Sequence, residues 1–360
     1  MTIEFWILLV ITCIGAIRWG FFVWQEKIKE QHTLWATKKK SWSPTTKEKK
    51  EIWLYSIEQI EIAQPTMKKL YDQLTHEIIW QPGLIKSMIV AVCSQKHLFI
   101  QSLPGMAKTR AVKALAHYTW LDMGRIQWTP DLLPSDIIGK EILSTDKKWS
   151  EIHYWPIVHQ IILFDEINRT TPKVQSALME CMEEWQVTIA HTTVKLPEPF
   201  ILFATSNPQW SKGIYELPEA QMDRFWLSIT LDYPHDEHQI INNQSPKDIS
   251  NHQDTYDIQD VQQHIEKVTI SDELIHYITN LVQQTRSLDG ISVWCSPRAG
   301  KDMVRLSKTV ARLADRGVVE QGDIDNLIEA VRSHRVSWKQ EFGGWKNHHS
   351  LTDELIGINY

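Results

Sequence analysis

The sequence predicts an α/β protein: a three-layer αβα domain on a parallel sheet, then a small all-α domain, the whole preceded by an apolar N-terminal helix. Three observations carry this expectation. A turn-rich loop containing Lys108 and Thr109 follows an apolar run at residues 97–100. Two further apolar runs, 161–164 and 200–204, end in acidic or polar residues. From about residue 261 apolar residues recur at helical spacing.

The first run, His97-Leu98-Phe99-Ile100, leads into Ser102-Leu103-Pro104-Gly105-Met106-Ala107-Lys108-Thr109 and a helix-like stretch from Arg110 to Tyr118. Strand, loop and helix in that order form a nucleoside-triphosphate site: loop N–H groups and the helix N-terminus surround phosphate oxygens, Lys108 neutralises β/γ charge, and the Thr109 hydroxyl ligates Mg²⁺. The strict loop pattern has Gly at both ends, where this chain has Ser102 and Ala107. The loop alone therefore leaves open an ordinary Pro-Gly turn that carries a Lys.

At 360 residues, with 42% hydrophobic and 23% charged residues, the chain has room for two globular domains. Cys13, Cys93, Cys181 and Cys295 lie far apart with no C-x-x-C pair, which suggests reduced thiols and neither a zinc site nor a disulfide framework. Residues 25–50 hold eight lysines against three glutamates, so the net charge of -6 leaves the remainder at about -11. That balance lacks the basic track of a nucleic-acid motor, and no nucleic-acid partner is expected.

In chain order, residues 5–24 are almost wholly apolar and long enough to span a bilayer. Lys27, Lys29 and Lys38 to Lys40 follow at once, which places that side in the cytosol by the positive-inside rule. The expectation is a membrane anchor over 1–24 with the rest of the chain cytosolic. The alternative, an amphipathic or buried helix in a cytoplasmic protein, is raised by Arg18. Residues 25–50 read as a basic linker. Helical spacing then runs through Leu54, Ile57 and Ile60, and beyond Pro65 through Met67, Leu70, Tyr71, Leu74, Ile78 and Ile79; a second helix spans 84–92.

Ile161-Ile162-Leu163-Phe164-Asp165-Glu166 has the look of a buried parallel strand with acids at its C-terminal end, where ligands bind in such sheets. Asp165 would hold Mg²⁺ through water and Glu166 would act as general base. The alternative is two acids that merely favour the next helix N-terminus. A helix over 172–184 begins at Pro172, and 187–196 alternates as a hairpin around Ala190-His191, with His191 a tip residue. The run 200–205 leads to Asn207, placed to hydrogen-bond the γ-phosphate or the attacking water. Tyr233-Pro234 closes the nucleotide domain (51–235), and 236–260 is a linker. The C-terminal region (261–360) contains a helix from Asp272 to Gln284 capped by Ser271, one begun by Ser296-Pro297 and ended by Gly317, and one from Ile324 to Val331.

Gln127-Trp128-Thr129-Pro130-Asp131-Leu132-Leu133-Pro134-Ser135-Asp136, Asp165-Glu166-Ile167-Asn168-Arg169, Gln175-Ser176-Ala177-Leu178 and Leu217-Pro218-Glu219-Ala220-Gln221-Met222-Asp223-Arg224-Phe225, in this order and spacing, resemble the MoxR-type AAA+ ATPases over roughly residues 68–336. The resemblance implies a P-loop AAA+ domain with a helical lid. Lys108 and Thr109 would be Walker A, Asp165 and Glu166 Walker B, Asn207 the first sensor and Arg298 a second sensor reaching the γ-phosphate from the lid. Arg224 would be an arginine finger completing a neighbour's site in a ring, usually a hexamer; its alternative is a salt bridge with Asp223 or Glu219. His334 would be structural. The implied activity is MgATP hydrolysis that drives chaperone-like maturation of protein complexes, with von Willebrand A-type domain proteins as partners. A magnesium-chelatase-like subunit shares the motifs, and Ser102 with Ala107 leaves room for a weakly hydrolysing assembly scaffold.

Tryptophan is anomalous: 17 Trp outnumber 14 Gly, where an average of ~7% would give about 25 Gly. Trp80, Trp155 and Trp294 stand where the resembling family commonly has Gly, and Trp128 and Trp185 are weaker instances. One origin explains both facts: a UGA codon, translated as Trp, that specifies Gly in the source organism.

Overall fold

The computed structural model describes residues 56–78, 81–143, 150–153, 156–189, 192–207, 215, 217–231, 255–287, 291–293 and 295–338. Residues 5–24, Trp80, His191, Trp155 and Trp294 lie outside them. Among the described residues no helix is long and apolar enough to cross a membrane.

The nucleotide domain runs α1 (Pro65–Glu77), α2 (Pro82–Ser94), β1 (Leu98–Ser102), α3 (Lys108–Thr119), β2 (Met123–Gln127), α4 (Ser135–Ile138), β3 (Lys140–Leu143), β4 (Ser150–His153), β5 (Ile161–Asp165), α5 (Pro172–Glu184), β6 (Gln186–Ile189), β7 (Thr192–Lys195), β8 (Ile201–Ser206), α6 (Glu219–Met222) and β9 (Leu227–Leu231). Five strands form a parallel sheet in the order β2-β5-β8-β1-β9. Registers such as Ile161↔Ile201 and Leu98↔Phe203 bring the strand C-termini together. Successive residues of a strand face opposite ways, so the apolar runs feed two cores. Leu98, Ile100, Leu163 and Phe203 pack with Met67, Leu84 and Leu115 of α1, α2 and α3. Phe99, Ile162, Phe164 and Leu202 pack on the other face with Val174, Leu178 and Met182 of α5. This is the expected three-layer arrangement.

Glycine is required at Gly124 of β2, because a Cβ there would sit 2.2 Å from the Pro156 carbonyl oxygen. Two helices end on tryptophan. Trp120 closes α3 at φ 55° and Trp185 closes α5 at φ 55°, both left-handed. That region costs a non-glycine residue about 1–3 kcal/mol, and Trp120, 79% exposed, regains little by burial.

The lid comprises α7 (Gln259–Ile265), α8 (Asp272–Ser287), β10 (Ile291–Val293), α9 (Pro297–Leu313), α10 (Gln321–Asp325), α11 (Ile328–Arg332) and β11 (Ser337–Trp338). Its core residues Met303, Leu306 and Val310 continue the α2 side of the first core. The Arg305 guanidinium donates to the Ser94 carbonyl and Gln262 Nε2 to that of Val92, tying the lid to the end of α2.

Several expectations change. The pattern through Ile57 and Ile60 yields a single 3₁₀ turn, Ile57–Gln59, and then extended chain whose Ala63 and Gln64 N–H groups bond Leu313 O instead of continuing a helix. The helix begun by Pro297 stops at Leu313, before Gly317, because Asp315 takes the left-handed conformation at φ 58°. The segment 324–331 is not one helix: a capping box, Glu320 with Asp323, starts α10, and the chain breaks at Asn326 and Leu327 before α11. Strand β9 and the pairs β3·β4 and β10·β11 were not expected from the pattern.

Candidate functional site

The loop between β1 and α3 departs twice from ordinary backbone. Gly105 has φ +83° and Ala107, the residue before α3, φ 52°. Left-handed residues within a turn direct successive N–H groups into one concavity, which suits an anion. Ala107 keeps this conformation although it carries a Cβ, which shows what the strict pattern's second glycine is for. A Cβ built on Gly105 meets nothing within 4 Å, so the loop is open above that residue.

Lys108 Nζ donates to Ser102 Oγ and, at 3.3 Å, to Leu103 O. Ser102 is thus the lysine's partner within the loop. Burial pulls the Lys108 ammonium pKa down, while the charges of Asp165 and Glu166 hold it up. Thr109, in the first turn of α3, is half-buried, Met106 is buried, and Pro104 and Gly105 are exposed.

The carboxylates stand at the end of β5, next to β8. Asp165 Oδ2 accepts from Arg125 Nε and Nη2 at 2.9 and 2.7 Å, and Oδ1 accepts from Thr205 Oγ1 at 3.4 Å. Glu166 is left-handed at φ 60°, its N–H bonded to Thr205 Oγ1 at 3.0 Å. Its side chain accepts from Asn207 Nδ2 at 2.6 Å and pairs with Arg169 at 3.2 Å. The Arg169 guanidinium lies over the Trp128 ring, 5.2 Å from the centroid. Lys108, Asp165, Glu166 and Asn207 are therefore brought together as expected.

Arg125, Arg169 and Thr205, which contact Asp165 and Glu166, are not among the residues the sequence assigns to the site. Arg169 carried a signal, three residues after Glu166; Arg125 and Thr205 reach Asp165 only through strand pairing. The donor set fits MgATP: an open loop with two left-handed residues, a lysine, a helix-terminal hydroxyl and one strand-end carboxylate match a cation that takes few protein ligands and keeps phosphate and water. Among the described residues no group of three His, Cys, Asp or Glu could hold a metal alone.

Arg224 and Arg298 form a second cluster. Arg224 Nε and Nη2 donate to Glu183 Oε2 at 3.0 and 2.6 Å, and Arg298 Nη2 to Glu183 Oε1 at 2.8 Å. The salt bridge considered for Arg224, with Asp223 or Glu219, is replaced by Glu183, which α5 delivers at its last turn. Asp223 turns to the lid: it accepts from Ser296 Oγ at 3.1 and 2.9 Å and pairs with Arg335 at 3.2 Å. Arg335 also bonds Phe225 O at 2.9 Å and Asp302, and His334 Nε2 bonds Phe225 O at 2.7 Å, a structural role. Burial pushes the Asp302 carboxyl up to about 6 against the pull of Arg335.

Comparisons with known proteins bear on the family and the fold. Residues 97–227 match the ATPase family associated with various cellular activities (AAA), and residues 283–354 match the AAA lid domain. The chain is 34% identical over 282 residues to the uncharacterized protein YeaC of Bacillus subtilis, covering 77% of this chain and 88% of that protein. It is 33% identical over 284 residues to the chaperone MoxR1 of Mycobacterium tuberculosis, covering 75% of each. A crystal structure of a provisionally assigned ATPase from Cytophaga hutchinsonii superposes with a TM-score of 0.73 at 34% identity, over 81% of this chain and 94% of that one.

Proposed function

This chain belongs to the MoxR-type AAA+ ATPases, and from that premise we propose that it hydrolyses MgATP as part of a ring and uses the cycle to remodel or mature protein complexes. The observation that carries the reading is the convergence of Lys108, Asp165, Glu166 and Asn207 at the strand ends of one sheet.

In this mechanism the loop N–H groups and Lys108 bind the triphosphate, and Thr109 with Asp165 would hold the metal. Mg²⁺, when bound, neutralises charge on the phosphate oxygens. Glu166, held by Asn207 and Arg169, takes the proton of the attacking water, and Asn207 orients that water. Arg224 of one subunit supplies positive charge to the neighbour's transition state. Lid and ring rearrangements would pass the cycle to a protein client. Partners with von Willebrand A-type domains, a hexameric ring and a membrane anchor over residues 1–24 with the ATPase in the cytosol complete the proposal; these rest on the family resemblance and on the sequence.

One pair of variants tests the chemistry. Lys108→Ala should lose nucleotide binding, whereas Glu166→Gln should keep binding and lose hydrolysis by about 10²-fold or more. Hydrolysis at the normal rate by Glu166→Gln would overturn the assignment.

A further inference from the structure

We propose that Glu183 is the positioning residue that assembles Arg224 and Arg298 into one two-arginine unit for the ATPase reaction. The proposal rests on the reading that Arg224 completes a neighbour's site; it adds a residue that no motif singled out and, because both guanidiniums share that carboxylate, assigns Arg298 to the same neighbouring site.

The two guanidiniums reach opposite oxygens of one carboxylate, at 2.6 and 2.8 Å. Without that carboxylate, two like charges would face each other and separate. Arg298 and Arg224, in that order, hold the Glu183 carboxyl below the usual carboxylate range, so it stays charged near neutral pH. The trio keeps a net charge of about +1 at a surface where the Glu183 and Arg298 side chains are each 41% exposed. Arg224 Nη1 is fixed separately on Ala220 O at 2.6 Å, which leaves its fork little freedom. The supporting elements are coupled too. Ser296, two residues before Arg298, caps α9 and donates to Asp223, the residue before Arg224. Lid movement and the placement of Arg224 are thereby linked, and Glu183 closes the loop from the α5 side.

Glu183→Ala and Glu183→Gln in the full chain should lower kcat for MgATP by about 10-fold or more with KM little changed, and Glu183→Asp should recover part of the loss. Mixing Glu183→Ala with Lys108→Ala protein should restore activity, since mixed rings pair an intact loop with an intact arginine face. Mixing Glu183→Ala with Arg224→Ala should restore none. A normal kcat for Glu183→Ala beside an inactive Arg224→Ala would overturn this proposal alone. A normal kcat for Arg224→Ala would overturn the finger reading, and the proposal with it.

A separate observation concerns the tryptophans. Among the described residues six non-glycine residues have positive φ, and two of them are Trp120 and Trp185, each closing a helix where glycine is the ordinary residue. Gln95 closes α2 in the same conformation, so φ alone is not the sign; Trp120 is selected by a left-handed helix end together with an indole left 79% exposed. Trp128, by contrast, is absent from the positive-φ set and covers Arg169, as a native indole would. We infer that positions 120 and 185 are glycine in the native protein, encoded by UGA codons that the source organism reads as glycine. Peptide mass spectrometry of the protein purified from its own organism, with the nucleotide sequence, tests this. Glycine mass at both positions with UGA codons is expected. Tryptophan mass or a UGG codon at either position would overturn it.

Discussion

Asn207 donates its amide to Glu166 at 2.6 Å, from the end of β8 to the end of the neighbouring β5. The residues proposed as first sensor and general base are thus one hydrogen-bonded unit. Asn207→Ala should lower kcat by about 10²-fold and leave ATP affinity within a few-fold. Steady-state hydrolysis beside nucleotide binding checks this, and an unchanged kcat would remove Asn207 from the machinery.

Arg335 and Asp302 are each 1% exposed and bonded to each other. Removing one partner leaves the other charge buried, so Arg335→Met should destabilise the fold by about 3–5 kcal/mol. Urea unfolding reads this directly. Asp302→Asn, which keeps a hydrogen-bond acceptor, should cost less than Arg335→Met, and the reverse order would show that the pair is not the source of the loss.

His97 is buried with Nδ1 accepting from the Leu202 N–H at 3.0 Å and Nε2 donating to Met182 O at 3.2 Å, a neutral tautomer. Burial pushes its pKa down to about 4. The unfolded chain therefore binds a proton between about pH 6.5 and 4 that the folded chain refuses, and the histidine's contribution is present above that window and lost through it, by up to about 3 kcal/mol. Asp302, raised to about 6 by burial, acts oppositely between about pH 4 and 6. Comparing His97→Gln with the parent protein across pH 4–7 isolates the histidine. The parent should lose more stability than the variant as pH falls, and parallel curves would refute the assignment.

The apolar stretch 5–24 with its following lysines leads to a prediction in cells. A tag after Lys50 should resist external protease, and deletion of residues 1–24 should release soluble protein. Full-length protein in the soluble fraction after lysis would dismiss the anchor.

Local pattern determined much of this protein. The apolar runs that became β1, β5 and β8, the phosphate loop, the acids at a strand end and the amphipathic stripes of α8 and α9 are all written within a few residues, where side-chain period and turn chemistry act. Tertiary structure decided what those rules do not reach. Strand β9 mixes Ser228 and Thr230 with apolar residues and is a strand because β1 offers it a parallel edge. The helix expected over 324–331 broke where its caps and the lid core placed the ends. Most plainly, Glu183 meets Arg224 across 41 residues and Arg298 across 115. A charge in sequence does not name its partner, because ion pairs depend on distance in space, and only the packing of α5, the segment that carries Arg224 and the lid sets that distance.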